Sequence, residues 1–199
     1  RGLRRNDYFL MTCHRRENVH DRSSLQAILT LLESSPRPVF FPASYRTQRI
    51  IREEGLRLPE RVVMVDPVGY QEFLALLVNS CGVITDSGTV VEEACILGVG
   101  SLQMRRSTER PQVYDVGASV KFDPSEQHTE AGGEFFHRLE ALSDQQWEQP
   151  FGDGLASERI AEDLLVRFED GGFSRHEPRM YHLDISRSFS GEVAGAEGS

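Results

Sequence analysis

Three short segments combine residue types suited to holding an anion. Asp86-Ser87-Gly88-Thr89 joins an apolar run to an amphipathic one. A small glycine-containing turn lets backbone N–H groups approach a phosphate closely, and the helix after it adds roughly half a positive charge at its start. Glu92 and Glu93 follow in the first turns of that helix. The same residues also read as an ordinary helix cap, with the glutamates complementing the macrodipole. His14-Arg15-Arg16-Glu17-Asn18 places a histidine beside two arginines, able to bind a pyrophosphate or to protonate a leaving group near neutral pH. Its alternative is a solvated charged loop. Arg105-Arg106-Ser107-Thr108-Glu109-Arg110-Pro111 offers Arg110 as a fork for phosphate, with Glu109 to orient it; alone it reads as a surface turn.

The elements that must position these segments follow from hydrophobic periodicity. Apolar runs at Tyr8–Cys13, Pro38–Ala43, Arg61–Pro67, Cys81–Ser87, Gly100–Arg105 and Ala118–Pro124 read as strands. Helical spacing marks Ser24–Ser34, Thr47–Gly55, Gly69–Ser80 and Val90–Gly98, with Asp21 and Ser23 as candidate N-caps. Gly132–Leu142 and Leu155–Asp170 read as later helices. Strands alternating with helices imply βαβ units and a parallel sheet covered on both faces. All three charged segments then fall at carboxyl ends of strands, the edge where open α/β sheets bind ligands. That coincidence favours the anion-binding readings. There is no P-loop, nucleophile elbow or HExxH pattern, and no GxGxxG follows the first strand, which disfavours a standard NAD site.

Composition bounds the partners. The net charge of −9 over 199 residues argues against a polyphosphate-tracking nucleic-acid binder. No apolar run approaches the ~20 residues a membrane helix needs. Positive charge is almost all arginine, Lys121 being the one lysine, so an anion clamp here is a planar fork. Cys13, Cys81 and Cys95 are scattered without CxxC spacing and read as buried reduced thiols; neither a metal site nor a cofactor is expected. The chain begins at Arg and is read as a fragment of a longer protein.

His14–Asn18 (HRREN), Thr85–Gly88 with Glu92–Ala94, Thr108–Pro111 (TERP) and Gly152–Ile160 (GDGxASERI) together resemble, in order and spacing, the non-hydrolysing UDP-N-acetylglucosamine 2-epimerases. The resemblance runs from about Tyr8 to Phe168 and implies one half of a glycosyltransferase-B type fold. By that resemblance, residues 1–145 form a Rossmann-like UDP-binding domain, 146–170 a crossover helix, and 171–199 a disordered tail. Ser87, Gly88 and the Thr89 backbone would meet the diphosphate. Glu93 would bind ribose hydroxyls, Arg110 a phosphate, and Phe73 would lie against uracil. His14 would sit by the departing UDP. The implied reaction is anti elimination of UDP to a 2-acetamidoglucal, then re-addition with inversion at C2, in a cytoplasmic homodimer serving polysaccharide biosynthesis.

Departures accompany the resemblance. Thr89 stands where many members have a second glycine, and Gln112 where TERPE has a carboxylate. The loop Pro42–Gln48 lacks the histidine of a regulatory second substrate site, so that regulation is expected to be absent. The family's proton-transferring carboxylates belong to an N-terminal domain missing here, and the chain alone is expected to be catalytically silent. A non-catalytic nucleotide-sugar-binding module, and an epimerase or hydrolase for a different UDP-2-acetamido sugar, are the alternatives.

Overall fold

The computed structural model describes residues 3–129 and 131–172; most of the expected tail at 171–199 lies outside them. The chain divides into two units, Arg1–Gly152 and Asp153–Ser199. Within the first unit, Trp147 and Phe151 pack with Val91 and Cys95, Trp147 Nε1 donating to the Cys95 carbonyl at 2.9 Å.

Six strands build the first unit: β1 (Phe9–Thr12), β2 (Val39–Pro42), β3 (Val62–Val65), β4 (Val83–Thr85), β5 (Ser101–Met104) and β6 (Ser119–Phe122). All neighbouring pairs are parallel, in the order β3-β2-β1-β4-β5-β6. The order reverses between β1 and β4, and a crevice opens at such a switch point in doubly wound sheets. Each strand lies where the apolar runs predict it, trimmed at both ends.

The connecting helices are α1 (Arg16–Val19), α2 (Arg22–Glu33), α3 (Tyr45–Glu53), α4 (Tyr70–Val78), α5 (Gly88–Ile96), α6 (Gln112–Asp115) and α7 (Gly132–Ala141), with a 3₁₀ turn at Leu142–Asp144. Several differ from expectation: α6 has no counterpart among the predicted helices, and α2 and α3 each start two residues earlier than the spacing predicts. His14–Asn18 is not wholly a loop, since α1 occupies its second half, and α5 starts at Gly88 rather than Val90. Asp21, not Ser23, caps α2, accepting from the backbone N–H groups of Ser23 and Ser24. Gly98 closes α5 in the left-handed region at φ 71°, where a side chain would be strained.

Strand pleating sends alternate residues to opposite faces. Phe9 and Met11 of β1 pack with Ile28, Leu32, Phe136 and Leu139 of α2 and α7. Tyr8 and Leu10 pack on the other face with Leu77 of α4 and Ala94 of α5. Each fully buried Leu or Phe in these layers contributes about 1.5–3 kcal/mol, and the two layers cover both faces of the sheet. The second unit contains α8 (Ala156–Glu169), whose sequence puts Ile160, Leu164 and Phe168 along one face; none of its residues is buried.

Candidate functional site

The site is organised by Asp86, the residue that leaves β4 at the switch point. Its side chain is fully buried. It accepts the backbone N–H of His14 (2.9 Å to Oδ2, 3.2 Å to Oδ1) and of Arg15 (2.9 Å), and the Asn18 amide at 3.2 Å. Arg15 Nε donates to the Asp86 carbonyl at 2.8 Å, and Asn18 Nδ2 reaches the Met104 carbonyl at 3.0 Å. A buried carboxylate is tolerated only when donors replace its lost water, and here those donors are the β1–α1 turn. The turn is thus shaped from another strand. Burial, with Asp86's charge nearby, holds the Cys13 thiol well above its usual range.

His14 projects from this turn half-exposed, its Nδ1 3.4 Å from Asp86 Oδ1. A carboxylate there favours a proton on Nδ1 and leaves Nε2 for a ligand. Arg46 Nη2 donates to the His14 carbonyl at 2.7 Å, closing the turn from the α3 side.

Ser87 is the N-cap of α5; its hydroxyl accepts from the Val90 N–H at 3.4 Å, and its own N–H donates to Thr85 Oγ1 at 3.0 Å. The opening N–H groups of an α-helix have no partner within the helix, and the dipole favours negative charge before them. Gly88 is buried and Thr89 exposed. A Cβ on Gly88 would meet Glu109 Oε1 at 2.3 Å, so a side chain there would displace the end of the Glu109 side chain from its present place. Glu109 also accepts from Arg15 Nη2 at 3.1 Å and Arg105 Nη1 at 2.5 Å. Its partial burial pushes its carboxyl up, but hydrogen bonds from its own backbone amide and Arg105, with the charges of Arg105 and Arg15, bring it below its ordinary range. Arg105 is itself buried; its Nε lacks a hydrogen-bond partner and faces Glu17 at 4.0 Å.

Arg110 lies along α5: its Nε makes a close ion pair with Glu92 Oε1, and Nη1 donates to the Glu109 carbonyl at 3.1 Å. A cavity of about 360 Å³ opens beside His14 at the carboxyl ends of β1 and β2, lined also by Pro42, Val68, Tyr70 and Phe73. Tyr70 OH donates to Glu93 Oε1 at 2.9 Å, linking α4 to α5.

His14 and Phe73 thus share one cavity. Ser87, Gly88 and Thr89 begin α5 directly after Asp86, which holds the His14 turn. Glu93 joins the cavity through Tyr70. Arg110 is drawn to Glu92, one turn into α5, rather than to the start of the helix. Asp86, Asn18, Arg105 and Tyr70 carry structure that sequence reading leaves without a role; the signal available was Asp86 preceding Ser87-Gly88. Among the described residues, no group of three His, Cys, Asp or Glu side chains is arranged to hold a metal ion. No described helix is long and apolar enough to cross a membrane.

Comparison with known proteins bears on this geometry. Residues 1–165 match the UDP-N-acetylglucosamine 2-epimerase family. The chain is 34% identical over 168 residues to the UDP-N-acetylglucosamine 2-epimerase of Methanocaldococcus jannaschii, covering 79% of this chain and 44% of that enzyme. It is 36% identical over 167 residues to the UDP-2,3-diacetamido-2,3-dideoxy-D-glucuronate 2-epimerase of Pseudomonas aeruginosa, covering 82% and 46%. The crystal structure of the M. jannaschii enzyme in complex with UDP-GlcNAc and UDP superposes with a TM-score of 0.67 over 81% of this chain and 46% of that one. The calicheamicin glycosyltransferase CalG4, at 16% identity and a TM-score of 0.50, shares the fold alone. The chain spans a little under half the length of the relatives it matches. By its sequence over residues 1–165 and by its six-stranded parallel sheet, the chain belongs to the UDP-N-acetylglucosamine 2-epimerase family.

Proposed function

We propose that this chain is the C-terminal, UDP-holding half of a UDP-sugar 2-epimerase of the UDP-N-acetylglucosamine/UDP-N-acetylmannosamine type. One observation carries the reading: Asp86 ties the His14 turn to the start of α5, so that a histidine, a helix N-terminus and an aromatic-lined cavity occupy one sheet edge. The backbone at Ser87, Gly88 and Thr89 receives the diphosphate. Arg110 exchanges Glu92 for a phosphate oxygen. Phe73 lies against uracil, and the Glu93 carboxylate accepts from the ribose hydroxyls. His14 Nε2 faces the pyrophosphate and stabilises the charge that gathers on departing UDP.

In the reaction, the C2–H and C1–O bonds of the sugar break and a C1–C2 double bond forms. UDP then returns to C1 as a proton is delivered to the opposite face of C2. These proton transfers fall to carboxylates of the other, N-terminal half, and the whole protein made of both halves forms a cytoplasmic homodimer. A second reading, an epimerase acting on another UDP-2-acetamido sugar, is favoured by the comparable identity to the P. aeruginosa enzyme.

The test is to assay the chain alone and joined to its other half, following incorporation of solvent deuterium at C2 of candidate UDP-sugars. The chain alone is expected to be inert and the joined protein active. A measurable rate from the chain alone, or UDP binding without epimerisation of any such sugar by the joined protein, would contradict the proposal.

A further inference from the structure

Tyr70 is an exposed aromatic residue that the motifs of the family do not explain. It opens α4, whose N-cap, Gly69, offers no side chain to hold it. Tyr70 is 64% exposed, an unfavourable place for a large aromatic unless something covers it. Tyr70 and Phe73 stand three residues apart on one helix face. Both line the cavity that also contains His14 and Val68. The Tyr70 hydroxyl leaves that cavity wall to donate to Glu93 Oε1 on α5 at 2.9 Å. No other hydrogen-bond partner of the Glu93 carboxylate is found among the described residues. The bond and the charge of Glu93 push the Tyr70 hydroxyl above its ordinary range, so it remains a donor at neutral pH.

Resting on the proposed nucleotide site, we infer that Tyr70 is a positioning residue: its hydroxyl fixes the Glu93 carboxylate to receive ribose hydroxyls, and so selects ribonucleotides. A glutamate on a helix surface samples several rotamers, and holding it in one before the ligand arrives removes that ordering cost from binding. One lone pair of Oε1 is occupied by Tyr70, which leaves Oε2 and the remaining lone pair of Oε1 for a vicinal diol. The aromatic ring, which lines the same cavity as Phe73, gains cover when a nucleoside fills it.

The experiment measures binding of UDP and of 2′,3′-dideoxyuridine diphosphate to the full chain by calorimetry, for the wild type, Tyr70→Phe, Glu93→Gln and the double variant. The exposed Tyr70→Phe substitution keeps the ring, so folding is preserved. Tyr70→Phe is expected to weaken UDP about fivefold, the effect of one hydrogen bond to a charged group at a solvent-exposed position. It is expected to leave the dideoxy nucleotide unchanged. The double variant is expected to bind UDP no more weakly than Glu93→Gln alone. A Tyr70→Phe loss equal for both nucleotides assigns Tyr70 to packing and overturns the inference, as does no loss for either. Failure of the wild type to bind UDP at all would sink the nucleotide site itself and this inference with it.

Discussion

Asp86 is a carboxylate without water, and the N–H groups of His14 and Arg15 and the amide of Asn18 take water's place. Replacing it with Asn keeps the shape but presents an amide N–H₂ to a ring of donors. Asp86→Asn is predicted to destabilise the chain by about 2–4 kcal/mol, read by urea denaturation, because buried donors lose a charged acceptor. Glu109 answers differently because it is half-exposed. Its carboxyl is held below its ordinary value of 4.5. A group with a lowered folded-state value contributes stability above its unfolded value, and loses that contribution as pH falls through the folded one. The wild type is therefore expected to lose stability below about pH 4.5 more steeply than Glu109→Gln. Parallel pH curves for the two proteins would show that Glu109 contributes nothing through its charge. At this scale the sequence exposes residue types but not partners. That Arg110 would meet Glu92, or Gly88 would need to make room for Glu109, depends on contacts 18 and 21 residues apart along the chain, which no local pattern carries.

At the scale of elements, most of the fold is legible because most elements are built from local signals. The strands are short apolar runs, interrupted by Gln103 in β5 and Lys121 in β6, and helices such as α2 bury one apolar stripe. Asp21 before Ser23 and Ser24 is a cap that can be read directly, and the structure uses it. Asp21→Ala is predicted to cost about 1 kcal/mol of stability, measurable by thermal denaturation. Below the range in which its carboxyl titrates the penalty should shrink. Hydrogen bonds from Ser24 and Ser23 lower that carboxyl, so the capping contribution is lost as pH falls. The helix α1 was not legible. Arg16–Val19 has no apolar period and no side-chain cap, and Asp86 arranges the turn from which it starts. The start of α5 at Gly88 was obscured for a related reason: Ser87-Gly88-Thr89 looks like a turn until Ser87 is seen to cap it. These two differences lie at the candidate site, where distant contacts override local preference.

Across the whole molecule, the alternation of strands and helices implies a parallel sheet but does not dictate its order. The reversal between β1 and β4 brings the His14 and Asp86 segments, some seventy residues apart in the chain, to adjacent strand ends. The resemblance joined those segments by motif, and the sheet joins them in space. The same geometry frames the division of labour proposed for this half: it holds the leaving group, while proton transfer falls to the other half. The most direct test is the thermal unfolding of the 199-residue chain with and without UDP. A ligand bound only by the folded state at a hundred times its Kd adds about 2.7 kcal/mol of stability. For a domain of this size that is a rise in Tm of roughly 5–10 °C, and Asp86→Asn should reduce it. An unchanged Tm at millimolar UDP would contradict the account.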